Sequence, residues 1–254
     1  MAMDPLAQAS LDRVLAAVES ERALSEDIRE RAKALDHAQR KVCMQLGQVH
    51  ALPLSQVSAH VHAVAATMAE VRQALAELAA HVPDHEYYRV RLFCSQQWCD
   101  IWAGSVRGAA YAAALLYYLG TDRLLSKEDM ERVLGLNALP PHQMQLTTDD
   151  YLHALISLVN HLPRLAVTAV IAGDFQTPLS VVALVKQVHG AFQVLNLKND
   201  ALRKRFDSLK YDVKRAEDVM YDIHLRGLHT QAPSEVTLVQ TGGASDEMLA
   251  RLCG

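Results

Sequence analysis

LNLKNDALRKRFDSLKYDVKRAEDVMYDIHLRG, residues 195–227, superimposes a seven-residue apolar repeat on a block of positive charge. Phe206, Val213 and Met220 share one register, and Leu195, Leu202, Leu209, Ala216 and Ile223 share the other. Apolar side chains therefore recur at alternating steps of three and four, the 3.5-residue period of a packed helix seam. Asn199 falls in the first register one heptad before Phe206, where a single buried amide can fix the alignment of two helices. The spacing predicts an oligomerising helix with Leu202, Phe206, Leu209, Val213 and Met220 in its seam. Between Lys198 and Arg215, seven basic residues face three acidic ones, a local charge of +4 in a chain that carries −4 overall. Arg203, Lys204, Arg205 and Lys210 flank the seam and are candidate contacts for a polyanion, although the charge alone equally fits an ordinary solvated helix face.

The rest of the chain supports an all-α class. Its 254 residues, half of them apolar and 21% charged, are those of a soluble globular protein. Only 11 glycines and 8 prolines interrupt it, and no region alternates apolar and polar residues for long, which argues against an extensive sheet. Periodicity predicts helices over residues 5–50, 55–80 and 86–119, a short one from Ser126 to near Gly135, and a buried one over 148–171 that Pro163 kinks or divides. Pro178 opens a further helix ahead of the heptad helix. Residues 1–228 read as one helical domain, and 229–254 as a mobile tail in which only 245–252 has helical character. Cys43, Cys94, Cys99 and Cys253 fit neither a disulfide framework nor a zinc motif, so a reducing compartment is expected. The amino terminus lacks the features of a secretory signal, and the apolar run from Gly108 to Gly120 is too short to cross a bilayer, so no membrane partner is expected.

Motifs of the common enzyme classes are missing: there is no HExxH, CxxC, Walker A or GxGxxG. A metal-dependent nuclease needs converging carboxylates to hold Mg²⁺. Asp149 and Asp150 precede a helix and fit better as stabilisers of its N-terminus. Asp174 follows an apolar helix through a glycine and is either a turn residue or a metal ligand. For nucleic acid, Tyr211 faces away from the seam and offers a stacking surface. A second basic and aromatic group, Tyr87, Tyr88, Arg89 and Arg91 with Trp98 and Trp102, opens the third helix.

With these residues in view, the stretch 195–227 closely resembles the matching stretch of the translin family. The agreement continues through Asp150-Tyr151-Leu152, Arg164-Leu165, the turn from Ala172-Gly173-Asp174 to Pro178, Glu86-Tyr87-Tyr88-Arg89 and Asp27-Ile28-Arg29-Glu30, about residues 10–228. The resemblance implies an elongated bundle of seven helices that assembles into a hollow octamer and binds single-stranded RNA and DNA in the cytoplasm and nucleus. It also implies a partner, translin-associated factor X, in a ribonuclease complex acting in RNA processing. In that relative, third-helix glutamates and the aspartate of the turn hold the metal. Here the aspartate is Asp174, while the third-helix positions read from Trp102 are Gly108 and Tyr111, so the set is incomplete. The resemblance therefore implies an RNA-binding subunit that has no catalytic residues and requires no cofactor, with Mg²⁺ entering only under the alternative reading of an endoribonuclease in its own right. Two departures stand out. Val90 to Gln97 looks like an insertion in a basic stretch, leaving Arg89 and Arg91, and His161 stands where the family commonly has glutamate.

Overall fold

The computed structural model describes residues 5–82, 99–139, 144–197, 201–228 and 245–253. They form α1 (Pro5–Gly47), α2 (Leu54–His81), α3 (Cys99–Thr121), α4 (Lys127–Val133), α5 (Thr148–Ile171), α6 (Thr177–Val194), α7 (Ala201–Leu225) and α8 (Ser245–Cys253), with 3₁₀ turns at Gln48–Ala51 and Leu136–Ala138. There is no strand among the described residues, so the all-α class holds.

α1 and α2 form an antiparallel pair. Leu52, just before Pro53, is extended (φ −86°, ψ 145°), as a residue preceding proline must usually be, and this turns the chain back. Lys41–Glu70 at 2.7 Å and Arg31–Glu77 at 3.8 Å link the pair. The α2 stripe Val57, Val61, Val64, Met68, Val71, Leu75 and Leu78 is buried as its spacing predicts. α1 behaves as expected only in its second half, where Ile28, Ala32, Leu35, Val42 and Leu46 are core. Its first turns leave Leu11, Val14, Leu15 and Val18 between 40% and 56% exposed. The reason is length: His81, the last residue of α2, lies level with Asp27 at 3.7 Å, so α2 offers nothing to the turns before it.

α3 is central. Ala109, Ala110, Ala112, Ala113 and Ala114 are fully buried, and their small side chains let α1, α2, α5 and α8 pack on one helix. Ser126 caps α4 by accepting from the Asp129 amide at 3.0 Å. Thr147 does the same for α5 from the Asp150 amide at 2.9 Å, and returns a bond to the Asp150 carboxylate at 2.7 Å. Pro163 lies inside α5 without dividing it. α5 is long and apolar enough to cross a membrane, but most of it is buried in the fold, the property of a core helix. Gly173, at φ +85°, ends it in a conformation that favours glycine.

Two expectations are corrected. The heptad seam is largely internal to the chain: Leu202, Phe206 and Leu209 belong to its own core, where α7 packs against α5 and α6, and the Phe206 ring stacks on Phe192 at 5.7 Å. Ala216 and Ile223 are also buried, whereas Val213 and Met220 are only partly so. A 3.5 period reports that a helix has a packing partner and is silent about whose chain supplies it. Leu195 is 39% exposed and precedes α7, and Asn199 lies outside the described residues. The second correction concerns the tail, whose last residues are docked. α8 buries Met248 and Leu252 against α2, α3 and α4, and Arg72 donates to the Leu252 carbonyl. Met248 rests on Gly120, where an added Cβ would stand 2.9 Å from its Sδ.

Phe206→Ala should therefore destabilise the subunit itself by about 3–5 kcal/mol. Chemical denaturation at several protein concentrations checks it: a loss that disappears on dilution would return Phe206 to an intersubunit contact. Gly120→Val should displace Met248, and hydrogen exchange of residues 245–253 should then rise to that of a free peptide while α1 and α2 keep their protection.

Candidate nucleic-acid interface

α7 divides its charges between two faces. Arg203, Lys204, Lys210 and Lys214 project from the half of the helix that does not pack. Arg203 is tied to Asp207 at 3.3 Å, and its guanidinium lies over the Phe206 ring, 5.5 Å from the centroid. Lys210 sits 5.1 Å from the centroid of Tyr211, whose ring is 59% exposed. Lys204 and Lys214 are exposed, with no ion-pair partner among the described residues. The positive face stops after two to three turns, because Glu217, Asp218 and Asp222 follow, with Glu217 bonded to Lys186 of α6 at 2.8 Å. A cationic surface interleaved with an exposed aromatic ring can hold phosphates by charge and bases by stacking.

Arg205 does not belong to that face. Its guanidinium turns inward to α5, donating to His153 Nδ1 at 3.0 Å, to the His153 carbonyl at 3.3 Å and to Ser157 Oγ at 2.8 Å. Arg205 flanks the seam directly beside Phe206, so its long side chain is carried into the α5–α7 contact. Trp102 is likewise core, not a stacking surface. Arg89, Arg91, Tyr87, Tyr88 and Trp98 lie outside the described residues.

Asp174 caps the start of α6. It is fully buried, its Oδ1 accepts from the amides of Gln176 (2.9 Å) and Thr177 (3.1 Å), and its Oδ2 accepts from Thr177 Oγ1 (2.5 Å). Those bonds satisfy the free N–H groups at the start of α6. Among the described residues, no group of three or more His, Cys, Asp or Glu is gathered to hold a metal. The third-helix positions read against Asp174 have other neighbours. Gly108 lies under the Gln39 side chain, whose Oε1 would stand 2.4 Å from an added Cβ, and Tyr111 is bonded to His161.

That last bond belongs to a half-buried chain of side chains that no sequence motif predicts. Tyr111 Oη lies 3.1 Å from His161 Nδ1, His161 Nε2 lies 3.0 Å from His50 Nε2, and His50 Nδ1 lies 3.2 Å from Thr168 Oγ1. Thr168 Oγ1 donates to the Arg164 carbonyl at 3.0 Å, so it accepts from His50 Nδ1. His50 Nε2 must then accept, His161 Nε2 must donate, and His161 Nδ1 must accept the Tyr111 proton. One direction of bonding fixes both tautomers, and both rings are neutral. Burial first, then His50 and Arg164, push His161 down to about 4, and burial with Arg164 also lowers His50. His50 stands in the turn between α1 and α2, Tyr111 on α3 and His161 on α5, so no sequence spacing could have joined them. The one signal was His161 itself, which the resemblance had singled out.

A sequence profile of the Translin family matches residues 23–227. The chain is 32% identical to Translin of Gallus gallus over 237 residues, spanning 91% of this chain and 94% of that protein. Against Translin of Homo sapiens the identity is 31% over 218 residues, 84% and 90% of the two chains. Translin-associated protein X of Mus musculus matches at 25% over 135 residues, 46% of this chain and 47% of that one. Among solved structures, apo-NeC3PO superimposes with a TM-score of 0.60 at 14% identity, covering 87% of this chain and 98% of the other. The AfC3PO–duplex RNA complex gives 0.60 at 13% identity, covering 86% and 98%. At such identities these two speak for the fold alone.

The neutral histidine chain has a pH signature. A base whose folded pKa is depressed contributes its full stability above the unfolded value near 6.5, and that stability is lost as pH falls from there toward 4. Acidification across this window should cost the fold on the order of 2 kcal/mol through His161. In His161→Gln, a neutral side chain that can still donate to His50, thermal melts between pH 4 and pH 7 should show a shallower decline than wild type. Equal declines would mean that the histidine pair does not carry it.

Proposed function

Because the chain belongs to the translin family, we propose that it is a homo-oligomeric protein that binds single-stranded RNA and DNA through the outward face of α7, with Lys204, Lys210 and Lys214 on phosphates and Tyr211 stacked on a base. The observation that carries this reading is the separation of α7 into an apolar side used up in the chain's own core and a basic, tyrosine-bearing side left to solvent. Binding of this kind, by charge and stacking, calls on no cofactor.

Assembly into an octamer is part of the same proposal. Its support is the uncovered stripe of Leu11, Val14, Leu15 and Val18 on α1, a contiguous apolar surface at helical spacing of the kind that marks protein contacts. Translin-associated protein X matches over about half of this chain, and the C3PO assemblies share its fold, which supports a role as the RNA-binding subunit of such a complex in the cytoplasm and nucleus.

Lys204→Ala/Lys210→Ala/Lys214→Ala should weaken binding to a labelled single strand and flatten its log-log salt dependence by about 2, at about 0.7 for each phosphate no longer neutralised. Tyr211→Ala should weaken single-strand binding about tenfold or more, with little effect on a duplex, since stacking on an exposed base is worth about 1–3 kcal/mol. An assembled triple variant whose affinity and salt slope match wild type overturns the assignment of the α7 face.

A further inference from the structure

We propose that a groove between α1 and α3 is a second phosphate site, which takes the backbone of the same single strand at a place remote in sequence from α7. This rests on the reading of the protein as a strand binder, and its own chemistry is recognition of a phosphate ester.

The groove is open to solvent and holds about 390 Å³ between Arg29, Lys33, Asp36 and Arg40 of α1 and Gly104 and Ser105 of α3. The four α1 residues follow at steps of four, three and four, so they share one helix face. Three cations against one carboxylate make this a positive groove on a chain of net charge −4. The carboxylate is already occupied. Asp36 Oδ2 holds Arg40 Nε at 2.7 Å, while its Oδ1 accepts from Gln39 Nε2 at 3.0 Å and, at the longer distance of 3.5 Å, from Ser105 Oγ. Arg29 and Lys33 are exposed and have no ion-pair or hydrogen-bond partner among the described residues. Two like charges one turn apart on a helix repel each other, and an anion seated between them turns that repulsion into attraction.

Gly104 supplies the second observation. A glycine inside a helix is disfavoured relative to alanine, and a close neighbour is the usual packing reason for one. Here a Cβ would find nothing within 4 Å. The absent side chain keeps the floor of the groove open, so that a phosphate and the sugar attached to it can approach the α3 backbone beneath Arg29 and Lys33.

The test uses the assembled full-length chain, wild type and three variants: Arg29→Gln/Lys33→Gln, Gly104→Leu, and the α7 lysine triple. Anisotropy titrations with a labelled single-stranded oligonucleotide at several salt concentrations are paired with ligand-observed NMR on uridine 5′-monophosphate and on inorganic phosphate. We expect Arg29→Gln/Lys33→Gln to flatten the salt slope by about 1.4, at about 0.7 per phosphate, and to add to the effect of the α7 triple. Gly104→Leu, which changes no charge, should weaken strand binding at every salt concentration. If strand binding ignores these variants but monophosphate or phosphate binds wild type and is lost in them, the shared-strand proposal is overturned and the groove is a phosphate site served by free ligands. Should wild type bind no strand at all, the α7 reading falls, and the monophosphate and phosphate signals still decide the groove. If neither the strand nor the small ligands respond to Arg29, Lys33 or Gly104, the proposal is overturned.

Discussion

Everything in this fold depends on α5 being buried with polar groups on it. Asp150, His153, Ser157, His161 and Thr168 would each be costly in an apolar interior without a partner, by about 1–3 kcal/mol per unsatisfied group. Each is met by a partner from outside α5. Arg107 of α3 donates to Asp150 at 2.7 Å and to Asp149 at 3.1 Å. Arg205 of α7 reaches His153 and Ser157, and Tyr111 of α3 meets His161, which in turn meets His50 from the α1–α2 corner. The apolar stripes bring the helices together without specifying how far one slides along another. These bonds do specify it, because a slip of one turn would strand a guanidinium or an imidazole inside the bundle.

The same requirement settles which charges remain for a ligand. Arg205 lies in a charged stretch of the sequence and Arg107 in an apolar one, yet both are committed to α5, and burial followed by Arg107 lowers the pKa of Arg205. Counting basic residues in the 198–215 segment therefore overstates the positive surface. What α7 presents to solvent is a shorter cationic strip with Tyr211 in it, bounded by acids toward the C-terminal end. A strand lying on that strip would be gripped over two or three helical turns and repelled beyond them, so this helix alone offers a short footprint.

Much of the architecture could be read from residues whose effect is local. Ser126 and Thr147 announce helix starts because their hydroxyls reach an amide three residues on, Gly173 announces a stop because the chain there is left-handed, and Pro178 sits in the first turn of α6, where its missing N–H costs nothing. Asp174 was legible only as an alternative, since a carboxylate after a glycine looks the same whether it caps a helix or awaits a metal. The fate of the heptad seam was not legible, because periodicity records that a face is buried and not which chain buries it. Docking of α8 was hidden for a related reason: its anchor is the absence of a side chain at Gly120, more than a hundred residues away in sequence. The histidine chain joins three separate elements, and its order is a property of tautomers, which no spacing encodes.

The departure at position 161 shows how these levels interact. A carboxylate there would face the Tyr111 hydroxyl and His50, and it would need a cation to be stable in that degree of burial. With histidine, the site closes on itself through neutral hydrogen bonds, and Gln39 can settle over Gly108 where a longer side chain would have stood. Those neutral bonds tie α1, α3 and α5 to one another and so help to hold the three helices in register. That register is what keeps Arg29 and Lys33 of α1 opposite Gly104 of α3. The neutral chain inside and the positive groove outside are thus consequences of a single helix alignment.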